Sequence, residues 1–290
     1  MKNNCWIFAI TVFMVVFSAC TKKNESCNSA CSIKIGDYKI HLLSEGQGEG
    51  NSGILIGATS DILQECAPEL TFPMATNVFL IQTPNNNILV DAGYGRLLFD
   101  HLDSLGLNVE QIDAILLTHM HGDHIGGLLK EGQVAFPNAK LYIPQPEYDF
   151  WAVSDNAGAL QVLTEYASQI QLFEPNSLEN PEQELISGIV PIAAYGHTPG
   201  HTAFWVKSKG KELLIWGDLT HAMAIQMPYP QVAVTYDVDP ETAVQSREKI
   251  LKFVSEKAIP IAGMHIPFPS VGNIQSLPNG GYEFIAANKD

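Results

Sequence analysis

The order of strand-like and helical segments is the feature of this sequence that most constrains its fold. In the first half, NVFLIQT and NILVDAG flank a turn at 85–87 and predict a hairpin. The apolar segment AILLT predicts a buried strand, and Gly126 and Gly127, followed by LLK, indicate that a helix begins just beyond the histidines at 119–124. A strand, AKLYIP, and a helical segment, ALQVLTEYASQI, follow.

The second half of the chain repeats this order. Three segments predict strands, namely IVPIAAYG, TAFWVKS and ELLIWGD. A helix is expected from Pro240 to about Lys257, because proline is favoured in the first helical turn, and the strand IPIAGMHI follows it. Two such halves predict an α/β protein in which two mixed sheets pack face to face with helices outside. A single domain accommodates both halves.

The N-terminal 19 residues have the pattern of a secretion signal. Lys2 precedes a segment from Trp6 to Phe17 that is apolar except for Thr11, and small residues precede Cys20. The segment is shorter than the roughly 20 apolar residues that a spanning helix needs. FSAC resembles a bacterial lipobox, although Phe17 replaces the usual leucine. We therefore expect export with a lipid anchor at Cys20 in the cell envelope, or otherwise a periplasmic or secreted protein.

Beyond residues 1–19, we assign 20–32 to a tether and 33–290 to one domain. The net charge of −15, with 16 Lys and Arg, argues against nucleic acid as a partner. The oligomeric state stays open, a homodimer included. Cys27, Cys31 and Cys66 are too few and too early in the chain for a thiolate metal site, although one pair could form a disulfide in an oxidising compartment.

A cluster of metal-ligand residues follows the AILLT strand. Within six residues, THMHGDHIGG contains His119, His121, Asp123 and His124. Imidazole nitrogen and carboxylate oxygen are ligands that Zn²⁺ prefers, and loops at strand ends can direct them to one point. His119 and His121 can face one side of an extended segment, whereas Asp123 and His124 can reach a second point nearby. Farther along, GHTPGH offers both His197 and His201, and their residue types alone do not choose between them.

These motifs resemble those of the metallo-β-lactamase superfamily. THMHGDHIGG is similar to its His-x-His-x-Asp-His signature, and DAG, GHTPGH, WGD and GMHIPF stand in the family's order, from about residue 33 to the C-terminus. The resemblance implies the αββα sandwich and two Zn²⁺ ions, or other divalent metals, that share a hydroxide. It implies that one metal is held by His119, His121 and His201, the other by Asp123, His124 and His265, with Asp218 bridging them.

The resemblance also implies roles for residues around the metals. Asp91 should orient a ligand histidine by a hydrogen bond without touching metal. His197 should form hydrogen bonds within its turn. We assign catalytic roles to Asp123 and to His221. His221 should lie over the metals without ligating them and donate a hydrogen bond or a proton to the substrate. The alternative is that His221 only packs. His41 and His101 are far from every motif and are expected at the surface.

A branch of the superfamily is indicated by AFPNAKLYIPQPEYDFW, WGDLTHA and MHIPFPSVG, which resemble methyl parathion hydrolase and its relatives, a branch overlapping with quorum-quenching lactonases. We therefore expect hydrolysis of a lactone, an aryl ester or a phosphotriester. An iron-dependent oxidoreductase of the same fold, a β-lactamase and a non-catalytic binding protein are alternatives. The pocket should be apolar and aromatic, with Trp151 and Phe268 the strongest substrate-facing candidates among six residues: Phe72, Tyr94, Phe150, Trp151, Met223 and Phe268.

Overall fold

Strands of two mixed sheets account for most of the secondary structure in a computed structural model that describes residues 30–186 and 188–287. The strands are β1 (Ala30–Ile35), β2 (Tyr38–Asn51), β3 (Leu55–Ile56), β4 (Thr71–Gln82), β5 (Asn87–Val90), β6 (Ala114–Leu116), β7 (Leu129–Lys130), β8 (Gln133–Val134), β9 (Lys140–Pro144), β10 (Ile170–Phe173), β11 (Ile189–Ala193), β12 (Thr202–Ser208), β13 (Lys211–Ile215), β14 (Ala233–Val234), β15 (Ile261–Ala262), β16 (Val271–Ser276) and β17 (Tyr282–Ala286). The helices are α1 (Ser60–Cys66), α2 (Leu98–Ser104), α3 (Gly122–Ile125), α4 (Gln145–Ala152), α5 (Ala157–Glu165), α6 (Met223–Gln226) and α7 (Pro240–Lys257).

The N-terminal predictions concern residues that are mostly outside this range. The signal segment, Cys20 and Cys27 lie outside the described residues. Strand β1 begins at Ala30, so residues 30–32, which we assigned to the tether, belong to the first sheet. Cys66 is a free cysteine, and burial raises the pKa of its thiol. In the described residues, no helix is long and apolar enough to cross a membrane.

The two large sheets have the mixed topology that the sequence predicts. Among the described residues, the first sheet has seven strands in the order β1-β2-β4-β5-β6-β9-β10, and the second has six in the order β11-β12-β13-β15-β16-β17. The hairpin predicted around 85–87 is confirmed by the antiparallel pairing of β4 and β5. Strands β5, β6, β9 and β10 are mutually parallel, as are β13 and β15.

Three apolar layers hold the sheets and helices together. Along β4, Phe79 and Ile81 pack between the sheets, whereas Val78 and Leu80 pack under the helices on the other face. This alternation is what the two-residue period of a strand requires. Helix α7 covers the outer face of the second sheet with Ile250, Leu251 and Val254. The structure is therefore the predicted αββα sandwich.

Strand ends from both sheets meet at one edge of the sandwich. The chain leaves β5 at Asp91, β6 just before His119, β13 before Asp218 and β15 before His265. Strand β12 is antiparallel to β13, so its amino end lies at the same edge. A backbone hydrogen bond of 2.9 Å from Thr202 N to Thr118 O joins the two sheets there. This topology brings residues that are far apart in sequence to one place.

The helix predicted just beyond the histidines at 119–124 is wrong in position. Helix α3 starts earlier, at Gly122, and includes Asp123 and His124, and the two glycines follow it in a 3-10 turn. A Cβ atom at Gly127 would overlap the carbonyl oxygen of Ala92. The glycines therefore allow close packing of two loops instead of starting a helix.

An insertion that the sequence did not indicate lies between β2 and β4. Residues 52–70 form a 3-10 turn, β3 and α1, and β3 pairs with β14. Ile62 of this insertion packs with Phe72, Ile225 and Val232 in a small apolar cluster. The insertion therefore supports the segment around β14, which borders the strand-end edge.

Candidate metal centre

The first candidate metal group contains three imidazoles and one carboxylate. His119, His121, His197 and Asp218 offer ligand atoms that all lie within 4.8 Å of one another. His121 Nδ1 is 3.0 Å from His119 Nε2 and 2.9 Å from His197 Nε2. Asp218 Oδ2 is 3.4 Å from His197 Nε2 and 3.7 Å from His119 Nε2. Four ligand atoms this close together could hold one metal ion.

The structure brings His197, and not His201, into this group, which contradicts our choice within GHTPGH. Both ring nitrogens of His201 are used by the backbone. Its Nδ1 donates to Ala194 O at 2.8 Å, and its Nε2 accepts from the Asp218 N–H at 2.9 Å. Neither nitrogen therefore has a free lone pair for a metal. His201 instead fixes the backbone of the residue that lies between the two groups.

The second candidate group contains Asp123, His124 and His265, as predicted from the motifs. Asp123 Oδ2 is 3.7 Å from His124 Nε2 and 3.4 Å from His265 Nε2. The imidazoles are buried, whereas the Asp123 side chain is 20% exposed. Helix α3 supplies two members of the group, which explains why Asp123 and His124 diverge from His119 and His121.

Asp218 contacts both groups. Its Oδ1 is 3.2 Å from His124 Nε2, and its Oδ2 is 2.9 Å from His265 Nε2. Oδ1 and His124 Nε2 are buried and make no hydrogen bond. Buried polar atoms without partners are costly, at about 1–3 kcal/mol each, so their presence calls for an explanation. A cation between these two atoms would satisfy both, and the residues present therefore fit a metal.

Hydrogen bonds on the far side of each ring direct the second nitrogen towards the centre. Asp91 accepts from Thr118 N and Thr118 Oγ1, each at 2.7 Å, and lies 2.7 Å from His124 Nδ1, as predicted for this carboxylate. The Thr118 hydroxyl has donated its proton to Asp91, so it accepts from His119 Nδ1 at 3.0 Å. His265 Nδ1 donates to Ala75 O at 2.7 Å. In all three histidines, Nε2 is thus the nitrogen that faces the groups.

Asp237 orients His197, so that the His197 Nε2 atom faces the metal groups. The sequence analysis did not single out this residue. His197 Nδ1 is 2.8 Å from Asp237 Oδ1, while Asp237 Oδ2 accepts from Val234 N at 3.0 Å. Asp237 is buried and lies in the segment after β14. The sequence YDVD contains no strand or helix pattern that would have indicated a buried acid.

Burial and the mixture of charges shift the pKa values strongly. Burial lowers the pKa of His121 to about 3 and that of His119 well below its ordinary value. Burial also opposes the charged form of His197, but hydrogen bonds to Asp218 and Asp237 raise its pKa to about 9. Burial likewise disfavours ionisation of Asp218, yet His124 and other imidazoles hold its pKa well below the ordinary value. Before a metal binds, the centre therefore contains an ionised carboxylate and protonated histidine.

His221 contacts Asp218 instead of open space. Its Nε2 is 3.1 Å from Asp218 Oδ2, and its ring stacks on His265 with 4.9 Å between centroids. The side chain is 2% exposed, and Nδ1 is buried without a hydrogen-bond partner. Burial lowers the pKa of His221 to about 4. Because a carboxylate only accepts, the neutral ring uses its Nε2 proton for Asp218.

Other predicted residues divide between the core and the rim of the centre. His41 and His101 are buried, contrary to our expectation, because the first sheet is covered on both faces; they hydrogen-bond Gln82 and the Ser44 carbonyl. Phe72 and Met223 are core residues. Trp151 is 7% exposed and lies edge-on to His121, whereas Tyr94 is exposed and Phe150 and Phe268 are half-buried. An unpredicted residue, Tyr236, is exposed with its ring 5.9 Å from His221.

The profile of the metallo-beta-lactamase superfamily matches residues 71–265, and the chain belongs to this superfamily. Hydrolase AbOPH, a solved structure from the beta lactamase superfamily, is similar with a TM-score of 0.81 at 26% identity, over 92% of this chain and 100% of that one. AidC, a dizinc quorum-quenching lactonase solved with the product N-hexanoyl-L-homoserine, has a TM-score of 0.78 at 25% identity, over 90% and 98% of the two chains.

Sequence similarity to curated proteins is more local. The hydroxyacylglutathione hydrolase of Aeromonas salmonicida is 43% identical over 81 residues, which are 26% of this chain and 29% of that protein. The chain thus matches less than two thirds of the length of this relative. The similarity supports membership of the superfamily and leaves the substrate open.

Proposed function

We propose that this chain is a binuclear zinc hydrolase that cleaves a small ester-like bond, in a lactone, an aryl ester or a phosphotriester. The observation that carries the proposal is the position of Asp218 between the two groups: its Oδ2 is 3.4 Å from His197 of the first group and 2.9 Å from His265 of the second, and its Oδ1 is 3.2 Å from His124 of the second. A carboxylate shared in this way can hold two cations a few Å apart. Imidazole and carboxylate donors without thiolate suit Zn²⁺, and other divalent metals also accept them.

When bound, a pair of Zn²⁺ ions supplies a nucleophile at neutral pH and offsets the negative charge that develops on the substrate. The chain's own residues orient the ligands, exclude water and move protons. Asp123 is the best placed proton acceptor, because its carboxylate is partly exposed while the imidazoles around it are buried.

We propose that His221 orients Asp218 through the contact between its Nε2 and Asp218 Oδ2. The proton or hydrogen bond to substrate that the sequence suggested for His221 stays a prediction. Comparing substrates with good and poor leaving groups separates the two roles, because only a proton donor matters more for the poor leaving group.

An apolar or aromatic substrate is supported by the side chains around the centre. Tyr94 and Tyr236 are exposed at its rim, and Phe268 is half-buried beside the His265 loop. The lactonase AidC and hydrolase AbOPH are similar along nearly their whole length. These similarities support the proposal that the chain belongs to the branch of methyl parathion hydrolase and the quorum-quenching lactonases.

A hydrolysis screen on protein of known metal content tests the proposal. Its substrates are an N-acyl homoserine lactone, a nitrophenyl ester, an aryl phosphotriester and a β-lactam. We expect turnover of the lactone or the aryl ester by the zinc-loaded protein. Turnover confined to the β-lactam would contradict the branch, and iron with oxygen consumption would contradict hydrolysis.

Export with a lipid anchor at Cys20 completes the proposal, supported by the apolar N-terminal segment and the FSAC sequence. The partner is then a small molecule outside the cytoplasm, not nucleic acid. Cys20→Ser should move the protein from the membrane fraction to the soluble fraction. An unchanged distribution would contradict lipidation.

A further inference from the structure

Glu147 is a fully buried carboxylate that sequence reasoning did not single out. It lies on α4, and its side chain accepts four hydrogen bonds. Oε1 accepts from Met120 N at 2.9 Å and from the Trp151 indole nitrogen. Oε2 accepts from Thr198 Oγ1 at 2.6 Å and from Gly200 N at 3.0 Å. Four donors on two oxygens account for the carboxylate's capacity in this pocket.

The partners of Glu147 belong to the two loops that carry the imidazoles of the first metal group. Met120 lies between His119 and His121, while Thr198 and Gly200 follow His197. Trp151, the remaining partner, lies edge-on to His121 with 5.7 Å between ring centroids. The hydrogen bonds described for Glu147 are therefore all made to residues beside the first metal group. In the second group, His124 is oriented by Asp91 and His265 by the Ala75 carbonyl.

The chemistry of this position requires a carboxylate. Burial raises the pKa of Glu147, and the hydrogen bonds from Thr198, Met120, Trp151 and Gly200 oppose that shift. Three of the four partners are N–H groups that can only donate, and at each oxygen position at least one of them is present, so a side chain with its own N–H or O–H would face a donor there. Glutamine has nearly the same shape, but its NH₂ group would face two of the four donors. The amide group could not move away from these donors, because α4 packs closely on the turn that contains Gly200. A Cβ atom at Gly200 would overlap the Glu147 backbone.

We propose that Glu147 is the positioning residue of the first metal group, holding the His119–His121 loop and the His197 loop at the separation that metal binding needs. The inference rests on the proposed function, because it presumes that His119, His121, His197 and Asp218 bind a cation. Glu147 touches neither metal nor substrate. Its effect is selective: it sets the metal affinity of the first group and leaves that of the second unchanged.

Glu45→Gln provides a matched control. Glu45 is also buried and accepts hydrogen bonds from three backbone N–H groups, those of Gly95, Leu97 and Leu98, each at 2.9 Å. The same substitution there places an amide among donors at the start of α2, away from the loops of the first group. Both variants should lose stability, but only Glu147→Gln should change metal affinity.

The experiment measures Zn²⁺ affinity by competition with a chromogenic chelator in three backgrounds: the parent chain, His265→Ala and His197→Ala. In the parent, Glu147→Gln should weaken one of two sites by about 10- to 100-fold, the usual effect of removing a residue that orients metal ligands. The loss should persist in His265→Ala, which keeps the first group intact, and vanish in His197→Ala, where that group is already incomplete. Glu45→Gln should leave both affinities unchanged.

Equal losses in both backgrounds, or a loss with Glu45→Gln, would overturn the proposal in favour of general destabilisation. If Glu147→Gln does not fold, Glu147→Asp replaces it, because the shorter carboxylate keeps the charge but cannot reach both loops. Unchanged affinity in a folded Glu147 variant also overturns it. A parent chain that binds no Zn²⁺ would instead contradict the proposed function.

Discussion

Replacing His197 and His201 in separate variants tests the geometry of the metal centre in most detail. His197→Ala removes a nitrogen that lies 2.9 Å from His121 Nδ1 and 3.4 Å from Asp218 Oδ2. Loss of a residue that only orients a ligand costs about 10- to 100-fold in metal affinity, so loss of a ligand should cost more than about 100-fold. The folded state should survive, because the ring makes one outer hydrogen bond, to Asp237.

His201→Ala should have the opposite profile. It leaves the Asp218 N–H and the Ala194 carbonyl buried without partners, at about 1–3 kcal/mol each, or roughly 2–6 kcal/mol together. That is a large part of the ~5–15 kcal/mol by which a typical domain is stable. His201→Gln, which offers a donor and an acceptor, should recover part of the loss.

Two measurements on each variant decide the matter: metal content after dialysis against trace Zn²⁺, and the free energy of unfolding in urea with a chelator present. His197→Ala should lose one metal and keep its metal-free stability, whereas folded His201→Gln should keep both metals with reduced stability. Loss of metal from His201→Gln, with normal metal content in His197→Ala, would refute the reasoning.

Four further outcomes follow from the same contacts. Asp218→Ala should lose metal from both groups and abolish hydrolysis, which metal analysis and a lactone assay would show; full turnover is incompatible with two cooperating cations. Lowering the pH from 8 to 6 should weaken Zn²⁺ binding about tenfold per pH unit for each proton displaced, because protonated His197, with its pKa of about 9, must become neutral to ligate; a flat titration would contradict this. Asp91→Ala should weaken one site by about 10- to 100-fold in the chelator assay, because His124 loses its orienting carboxylate, and an unchanged affinity would refute that role. His221→Phe should lower metal affinity and reduce kcat equally for nitrophenyl esters and alkyl lactones if it orients Asp218; a larger loss for lactones with metal intact would make it a proton donor.

Periodicity and motif order sufficed to predict the layers of the fold. The hairpin predicted from NVFLIQT and NILVDAG and the helix predicted from Pro240 to about Lys257 are both confirmed. They could be predicted because strand and helix periods reflect local geometry. The 52–70 insertion could not, because its stability comes from packing against a distant segment around β14.

The choice between His197 and His201 shows where residue type stops being informative. Both histidines flank the same turn, and each could ligate. His201 is excluded by two backbone groups, Ala194 O and Asp218 N, which reach it only when the second sheet has formed. Whether a backbone group hydrogen-bonds to a histidine nitrogen depends on the tertiary structure, and a short sequence motif does not reveal it.

The role of Glu147 had one faint signal in the sequence. It stands four residues before Trp151, so both share a face of α4, and a tryptophan on that face indicates that the face is buried. A glutamate on a buried helix face needs partners. Apart from Trp151, those partners lie on loops 27 to 53 residues away, and only the folded chain identifies them.

Titrating the metal-free protein with Zn²⁺ while following hydrolysis of an N-acyl homoserine lactone and a nitrophenyl ester tests the central claim most directly. We predict that activity appears as the second equivalent of Zn²⁺ binds and saturates at two per chain. Saturation at two equivalents with neither substrate hydrolysed, or full activity at one equivalent, would contradict a binuclear hydrolase of small ester-like bonds.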